Sequence, residues 1–174
     1  MTITIITVSD RARRGEYEDL SGPRIKELLR EAYPDAVVSR ALSSDDRAEL
    51  ESVLSAAMRG DLLQSAQVSL GHPLETAVPD FIITTGGTGL GPRDNTPEVT
   101  RSLCDRELPG IAETIRAESY RETPMAMLSR AYAGMAGDTI VVNLPGSVKA
   151  VETGTRVLVP VMAHALRMRH GGGH

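Results

Sequence analysis

Two glycine-rich turns, each set directly behind a β-branched apolar run, constrain this chain more than any other feature. Residues 80–85 read DFIITT and pass at once into GGTGLGPRDNTP, and residues 139–143 read TIVVN and pass into LPGSVK. Short apolar runs bounded by turn residues are the signature of buried strands. Each turn leads to a helix start. Thr96-Pro97-Glu98 follows the first, with Thr as cap and Pro at the first position, and Ser147 is placed to cap a helix after the second. In sheets built this way ligands collect at the carboxyl ends of the strands.

The remaining chain repeats the unit. Ile3, Ile5, Ile6 and Val8 predict a strand ending at Ser9-Asp10, and a polar loop (RARRGEYED) leads to Ser21-Gly22-Pro23 and a helix with Ile25, Leu28 and Leu29 inward. Residues 36–42 predict a second strand. Asp46 and Glu49 have capping-box spacing before Leu50, Val53, Leu54 and Ala57, which share one helical face. A helix over residues 111–119 follows Leu108-Pro109-Gly110. The last helix carries Ala150, Val151, Gly154, Val157, Leu158, Val161 and Ala165 as an inward stripe. Strands alternating with helices predict an α/β fold, a three-layer α/β/α sandwich with a mostly parallel central sheet. Residues 60–79 carry no clear period; a short helical extension and an exposed excursion are expected there. The ending RMRHGGGH reads as a frayed tail, so residues 1–168 are taken as one domain and 169–174 as disordered.

Composition removes several function classes. At 174 residues the chain fits one domain with a sizeable core. Aromatics are 3 %, Trp is absent, Phe81 is the only Phe and the formal charge is -4, which argues against a nucleic-acid surface. The apolar N-terminus is too short to cross a membrane and lacks a signal-peptide layout, so a cytoplasmic protein without membrane partners is expected. Cys104 has no second cysteine to pair with, and RSLCDREL reads as helix around a buried, inert thiol. His72, His164, His170 and His174 show no zinc-binding spacing, and no Gly-x-Ser-x-Gly elbow exists. Met125, Met127, Met135 and Met162 read as packing residues.

The chemistry-bearing candidates lie at the strand ends. In Thr84-Thr85-Gly86-Gly87-Thr88-Gly89, glycines let the backbone approach a ligand, while N–H groups and Thr hydroxyls can hold phosphate oxygens. Arg93 adds charge, and Asp94 can orient a metal ion or an attacking group; the plainer alternative is a tight turn with a solvated Arg-Asp pair. The pattern is neither the dinucleotide fingerprint nor a Walker A loop. Pro145, Gly146 and Ser147 can face an anion at a helix start, with Lys149 as a phosphate contact, or form an ordinary capped turn beside a surface lysine. Asp45-Asp46 opens the second long helix; one of them can ligate Mg²⁺, although capping is the commoner role for Asp46. Asp10, Ser9 and Arg11 can line the same rim, whereas Asp19 and Ser21 organise the first long helix.

Four stretches, VSDRARRGEYEDLSGP, TTGGTGLGPRDNTPE, DRELPGIAETIR and VVNLPGSVKAV, resemble the bacterial molybdopterin adenylyltransferase family and its relative, the molybdenum-cofactor biosynthesis protein B group. The G domains of gephyrin and its plant counterpart are similar. The likeness covers almost the whole chain, and the union of TTGGTG, RD.TP and DRE.PG is its most specific part. It implies that the TTGGTG loop (Thr85, Gly86, Gly87, Thr88, Gly89) serves the pterin and its phosphate. Asp94 corresponds to a critical acid, and Asp45 to a second acid in a motif where Ser44 replaces the usual Pro, so that Asp45 and Asp46 compete by one position. Gly146 and Ser147 fall in the nucleotide-binding region.

The implied reaction is attack of the molybdopterin terminal phosphate on the α-phosphorus of Mg-ATP, giving adenylylated molybdopterin and pyrophosphate. Asp94 and Asp45 would hold Mg²⁺; neither needs to act as a base, because the attacking phosphate is already ionised. The resemblance further implies a homotrimer and a downstream molybdenum-insertion enzyme as partner. Its alternative is a molybdopterin-binding protein of the protein B type, or a scaffold, without adenylyl transfer.

Overall fold

Residues alternate between the two faces of one sheet. The computed structural model describes residues 1–62, 77–169 and 171. In strand β1 (Thr2–Val8), Ile3 and Ile5 enter one core cluster while Ile6 and Val8 enter the other. Strands β3 (Phe81–Thr85) and β6 (Thr139–Leu144) do the same: Phe81, Ile83, Ile140 and Val142 face one way, Ile82 and Val141 the other. Both faces are covered, which is why these strands read as unbroken apolar runs.

Among the described residues the sheet has six strands, in the order β2 (Val37–Ser43), β1, β3, β6, β5 (Ala133–Ala136), β4 (Arg106–Glu107). Strands β2, β1, β3 and β6 are mutually parallel. Strands β5 and β4 continue the sheet antiparallel. Helices α2 (Ser21–Ala32), α5 (Pro109–Tyr120) and α6 (Val148–Arg169) supply Ile25, Leu29, Ile115, Leu158 and Met162 to the first cluster. Helices α3 (Arg47–Met58) and α4 (Thr96–Leu103) supply Leu50, Leu54 and Val99 to the second. The architecture is the three-layer α/β/α sandwich expected. Because α2 and α3 cover opposite faces, the chain reverses its winding between β1 and β3, where a ligand crevice belongs.

Local details differ from the sequence expectations. Asp10–Arg13 is a helical turn, α1, within the span read as loop, because the Ser9 hydroxyl accepts the N–H of Ala12. Helix α4 has Asn95 at the cap position with Pro97 one place further in than expected, and it ends before Cys104. The DRE segment read as helix instead pairs with β5, since the Asp105 and Leu108 N–H groups bond to Met135 and Ala133 carbonyls. Val161 is exposed and Met162 takes the buried place. Met125 and Met127 are exposed as well. Helix α6 extends through Arg169, whose guanidinium donates to Asp80 Oδ1 at 2.6 Å. Most of the 60–79 span, including His72, and of the tail lies outside the described residues.

Candidate functional site

Three strand ends meet without side chains between them. Gly86 follows β3 with φ +106°, and a Cβ there would fall 2.3 Å from the Val8 carbonyl oxygen at the end of β1. Gly146 follows β6, and its Cβ would approach the Gly86 Cα at 3.3 Å. At Gly86 the positive φ and this close approach admit only glycine, while at Gly146 a methyl would press on the Gly86 backbone. The Gly86 N–H donates to Leu144 O at 3.1 Å, and the Thr85 hydroxyl to Pro145 O at 2.9 Å, tying the two glycine turns together. The Ser21 hydroxyl of α2 donates to Gly146 O at 2.7 Å.

A cavity of about 440 Å³ opens on one side of this junction. Gly86, Gly87, Thr88, Gly89 and Asp94 line it from the first turn, and Pro145, Gly146, Ser147 and Lys149 from the second. Its outer wall comes from α5 and the 3₁₀ turn Pro124–Leu128. A second cavity of about 380 Å³ lies on the β1 side, lined by Ser9, Arg11, Asp19, Ser21 and Thr85 among others. Gly86, Gly146 and Ser147 belong to both. The two spaces therefore share a wall, built where the winding of the sheet reverses.

Asp94 Oδ2 accepts the Gly91 N–H at 2.8 Å, which orients the carboxylate at the edge of the larger cavity. Ser147 caps α6 through the Ala150 N–H at 3.3 Å. Lys149 pairs with Glu122 at 3.3 Å, and Glu122 also accepts the Thr153 hydroxyl. The Thr153 hydroxyl lowers the Glu122 pKa most; burial opposes it, and Lys149 adds to the lowering.

Asp45, Asp10 and Arg93 are brought together elsewhere, lining neither cavity. The Asp10 N–H donates to Asp45 Oδ2 at 2.8 Å and the Asp45 N–H to Asp10 Oδ1 at 3.0 Å. Arg93 adds an ion pair to Asp10 at 2.8 Å. Asp46 caps α3 by accepting the Glu49 N–H at 3.0 Å, while Glu49 turns to Ser44 and Arg13 instead of closing the box. Burial works against the Glu49 carboxylate, but bonds from Ser44 and Arg13 outweigh it and hold its pKa low.

Among the described residues no group of three His, Cys, Asp or Glu side chains could hold a metal ion unaided. Mg²⁺ characteristically takes one or two carboxylates plus substrate phosphates. Asp94, at the cavity edge, suits that sharing of ligands, whereas Asp45 lines neither cavity.

Sequence reasoning missed the outer wall and Arg130. Ser119, Glu122 and Thr153 line the larger cavity from two helices and the turn between α5 and the 3₁₀ segment. Arg130 grips the first turn from behind, and nothing in LSRAYAG marks it, because its acceptors are mainly backbone carbonyls.

Fold and site together define a three-layer α/β/α domain with two adjoining cavities at its switch point. Residues 60–164 match the family model described as a probable molybdopterin binding domain. The chain belongs to this molybdopterin-binding family of molybdenum-cofactor biosynthesis, and its function is molybdopterin-related. It is 32 % identical over 165 residues to the molybdopterin adenylyltransferase of Helicobacter pylori strain J99, covering 94 % of this chain and 85 % of that protein. It is 33 % identical over 168 residues to the Drosophila melanogaster molybdenum cofactor synthesis protein cinnamon, covering 97 % of this chain but 25 % of that longer protein. The crystal structure of the molybdopterin biosynthesis enzyme MoaB from Thermus thermophilus superposes with a TM-score of 0.76 at 39 % identity, covering 98 % and 96 % of the two chains. No described helix is long and apolar enough to cross a membrane.

Proposed function

We propose that the protein binds molybdopterin in the larger cavity and transfers AMP from Mg-ATP to its terminal phosphate, yielding adenylylated molybdopterin and pyrophosphate. The observation that carries transfer, beyond binding alone, is the pair of cavities sharing Gly86, Gly146 and Ser147. A two-substrate reaction needs neighbouring spaces that open on a common line, and a shared wall of two glycines and Ser147 lets phosphates approach from both sides. The turn N–H groups and the start of α6 supply donors for anionic oxygens. Bound Mg²⁺ would neutralise nucleotide phosphate charge. Asp94 would hold its share of that ion, and the chain's remaining task is to fix the two phosphates in line. The resemblance to trimeric relatives extends the proposal to a homotrimer.

Binding without transfer is the second reading, and one observation favours it: Asp45, the expected second acid, lines neither cavity. The two readings separate in one experiment. Purified protein is incubated with molybdopterin, ATP and Mg²⁺, and adenylylated pterin and pyrophosphate are followed beside an Asp94→Asn control. Product from the parent and at least an ~100-fold loss in the variant support transfer. Tight pterin binding without product establishes the binding role instead, and unchanged turnover in Asp94→Asn removes Asp94 from the chemistry.

A further inference from the structure

One side chain outside the cavities holds the glycine turn in shape. The Arg130 guanidinium donates through Nε to Gly89 O at 2.7 Å and through a terminal nitrogen to Asp94 O at 2.5 Å. Its other terminal nitrogen pairs with the Glu98 carboxylate on α4. The Arg130 backbone N–H donates to Thr88 O at 2.9 Å. Three carbonyls of one loop therefore converge on a single residue, from 36 to 42 positions away in sequence by the numbering of the partners. Arg130 lines neither cavity.

We propose that Arg130 is a positioning residue for Asp94 and the glycine turn, acting from behind the loop without touching substrate. This rests on the transfer reading above for its kinetic consequence, but not for its structural one. The loop needs such a tie. Residues 86–95 have no regular secondary structure, and Leu90 at the crest is 68 % exposed, so apolar packing does not anchor it there. A turn that binds an anion must keep its carbonyl oxygens off the ligand, and bonding three of them to one residue does that. Guanidinium is suited to the task because its planar fork reaches separate acceptors at fixed angles, whereas a lysine ammonium is a single mobile point. Glu98 fixes the guanidinium in turn. Because the Asp94 carbonyl is held by Arg130 and its carboxylate by the Gly91 N–H, main chain and side chain of the acid are positioned independently.

The test uses the full chain as parent, Arg130→Ala and Arg130→Lys. Hydrogen–deuterium exchange is read by mass spectrometry over peptides spanning residues 86–96, together with steady-state adenylyl transfer. Positioning predicts that exchange across the loop quickens about tenfold in both variants while peptides from β1 and β6 stay protected. It also predicts a fall in kcat of about 100-fold with KM for ATP nearly unchanged, and partial recovery of Arg130→Ala by added guanidinium. Parent-like loop exchange in a folded variant overturns the proposal, as does parent-like kcat in Arg130→Lys. If Arg130→Ala does not fold, Arg130→Lys decides by the same two readouts. A parent that makes no product refutes the transfer reading alone, and loop exchange still decides the role of Arg130.

Discussion

The side-chain amide of Asn143 donates to the Thr84 hydroxyl at 2.9 Å, joining the ends of β6 and β3 just before each strand enters its glycine turn. The same amide donates to the Thr100 hydroxyl of α4 at 2.9 Å, and its oxygen accepts the Tyr132 N–H at 3.3 Å. All of these groups are buried, so both glycine turns spring from one satisfied polar junction.

Asn143→Ala is therefore expected to destabilise the fold by about 2–4 kcal/mol, because it leaves two hydroxyls and one N–H short of a partner in a buried site. Urea unfolding measures this. A loss below roughly 1 kcal/mol would mean the junction is dispensable.

Gly86→Ala places a methyl 2.3 Å from the Val8 carbonyl oxygen at φ +106°. Gly15→Ala, at φ +72°, meets nothing within 4 Å. The second should cost about 1 kcal/mol for backbone conformation alone, and the first at least ~3 kcal/mol, since backbone cannot yield as a side chain does. Calorimetric melting of the pair tests this; equal shifts in Tm would refute the close approach of β1 and β3.

Asp80 clamps the start of β1 to the end of α6, accepting the Thr2 N–H at 2.8 Å and Arg169 at 2.6 Å. Burial alone would raise its pKa, but the Thr2 N–H and Arg169 outweigh it and leave the carboxyl below its usual value. A depressed folded pKa gives stability that is present above the unfolded value of about 4 and lost as pH falls through the folded one. Asp80→Asn should cost about 2 kcal/mol at pH 7. The gap between variant and parent should narrow on acidification from about pH 4 downward. A gap that stays constant over that range contradicts the clamp.

Cys104 is half-buried, and burial first, then the Asp105 charge, push its thiol up to about 11. Little thiolate exists near neutrality, so iodoacetamide should label the folded protein about 100-fold more slowly than a free thiol, with urea abolishing the difference. Rapid labelling of native protein at about neutral pH would show an exposed or activated thiol.

The central strands were legible because β-branched residues crowd them, and the glycine turns because Gly and Pro leave few conformations open. Strands β4 and β5 were not. Arg106–Glu107 and AGMA carry no β-branched residue; β5 joins the sheet because β6 offers it an edge, and β4 because β5 offers the next. The site divides along the same line. Asp94, Gly146 and Ser147 sit in local motifs and line a cavity, whereas Arg130 is defined by bonds to distant carbonyls that no motif encodes. The Asp45-Asp46 pair was legible as an acidic helix start and the resemblance favoured Asp45, but its reciprocal bond with Asp10 follows from α1, a turn too short to show a period.

The partition between the cavities has a consequence for redesign. Gly86 and Gly146 present only main chain there, and a methyl at Gly86 already collides with β1. Those two positions offer little to mutate, so libraries aimed at new ligands should leave them untouched. Diversity belongs on the opposite flank, where Met125 and Leu128 are exposed on a single 3₁₀ turn and can be exchanged without disturbing the sheet. The molecule thus carries one editable flank and one permanent one, and the permanent one is made of the smallest residues it has.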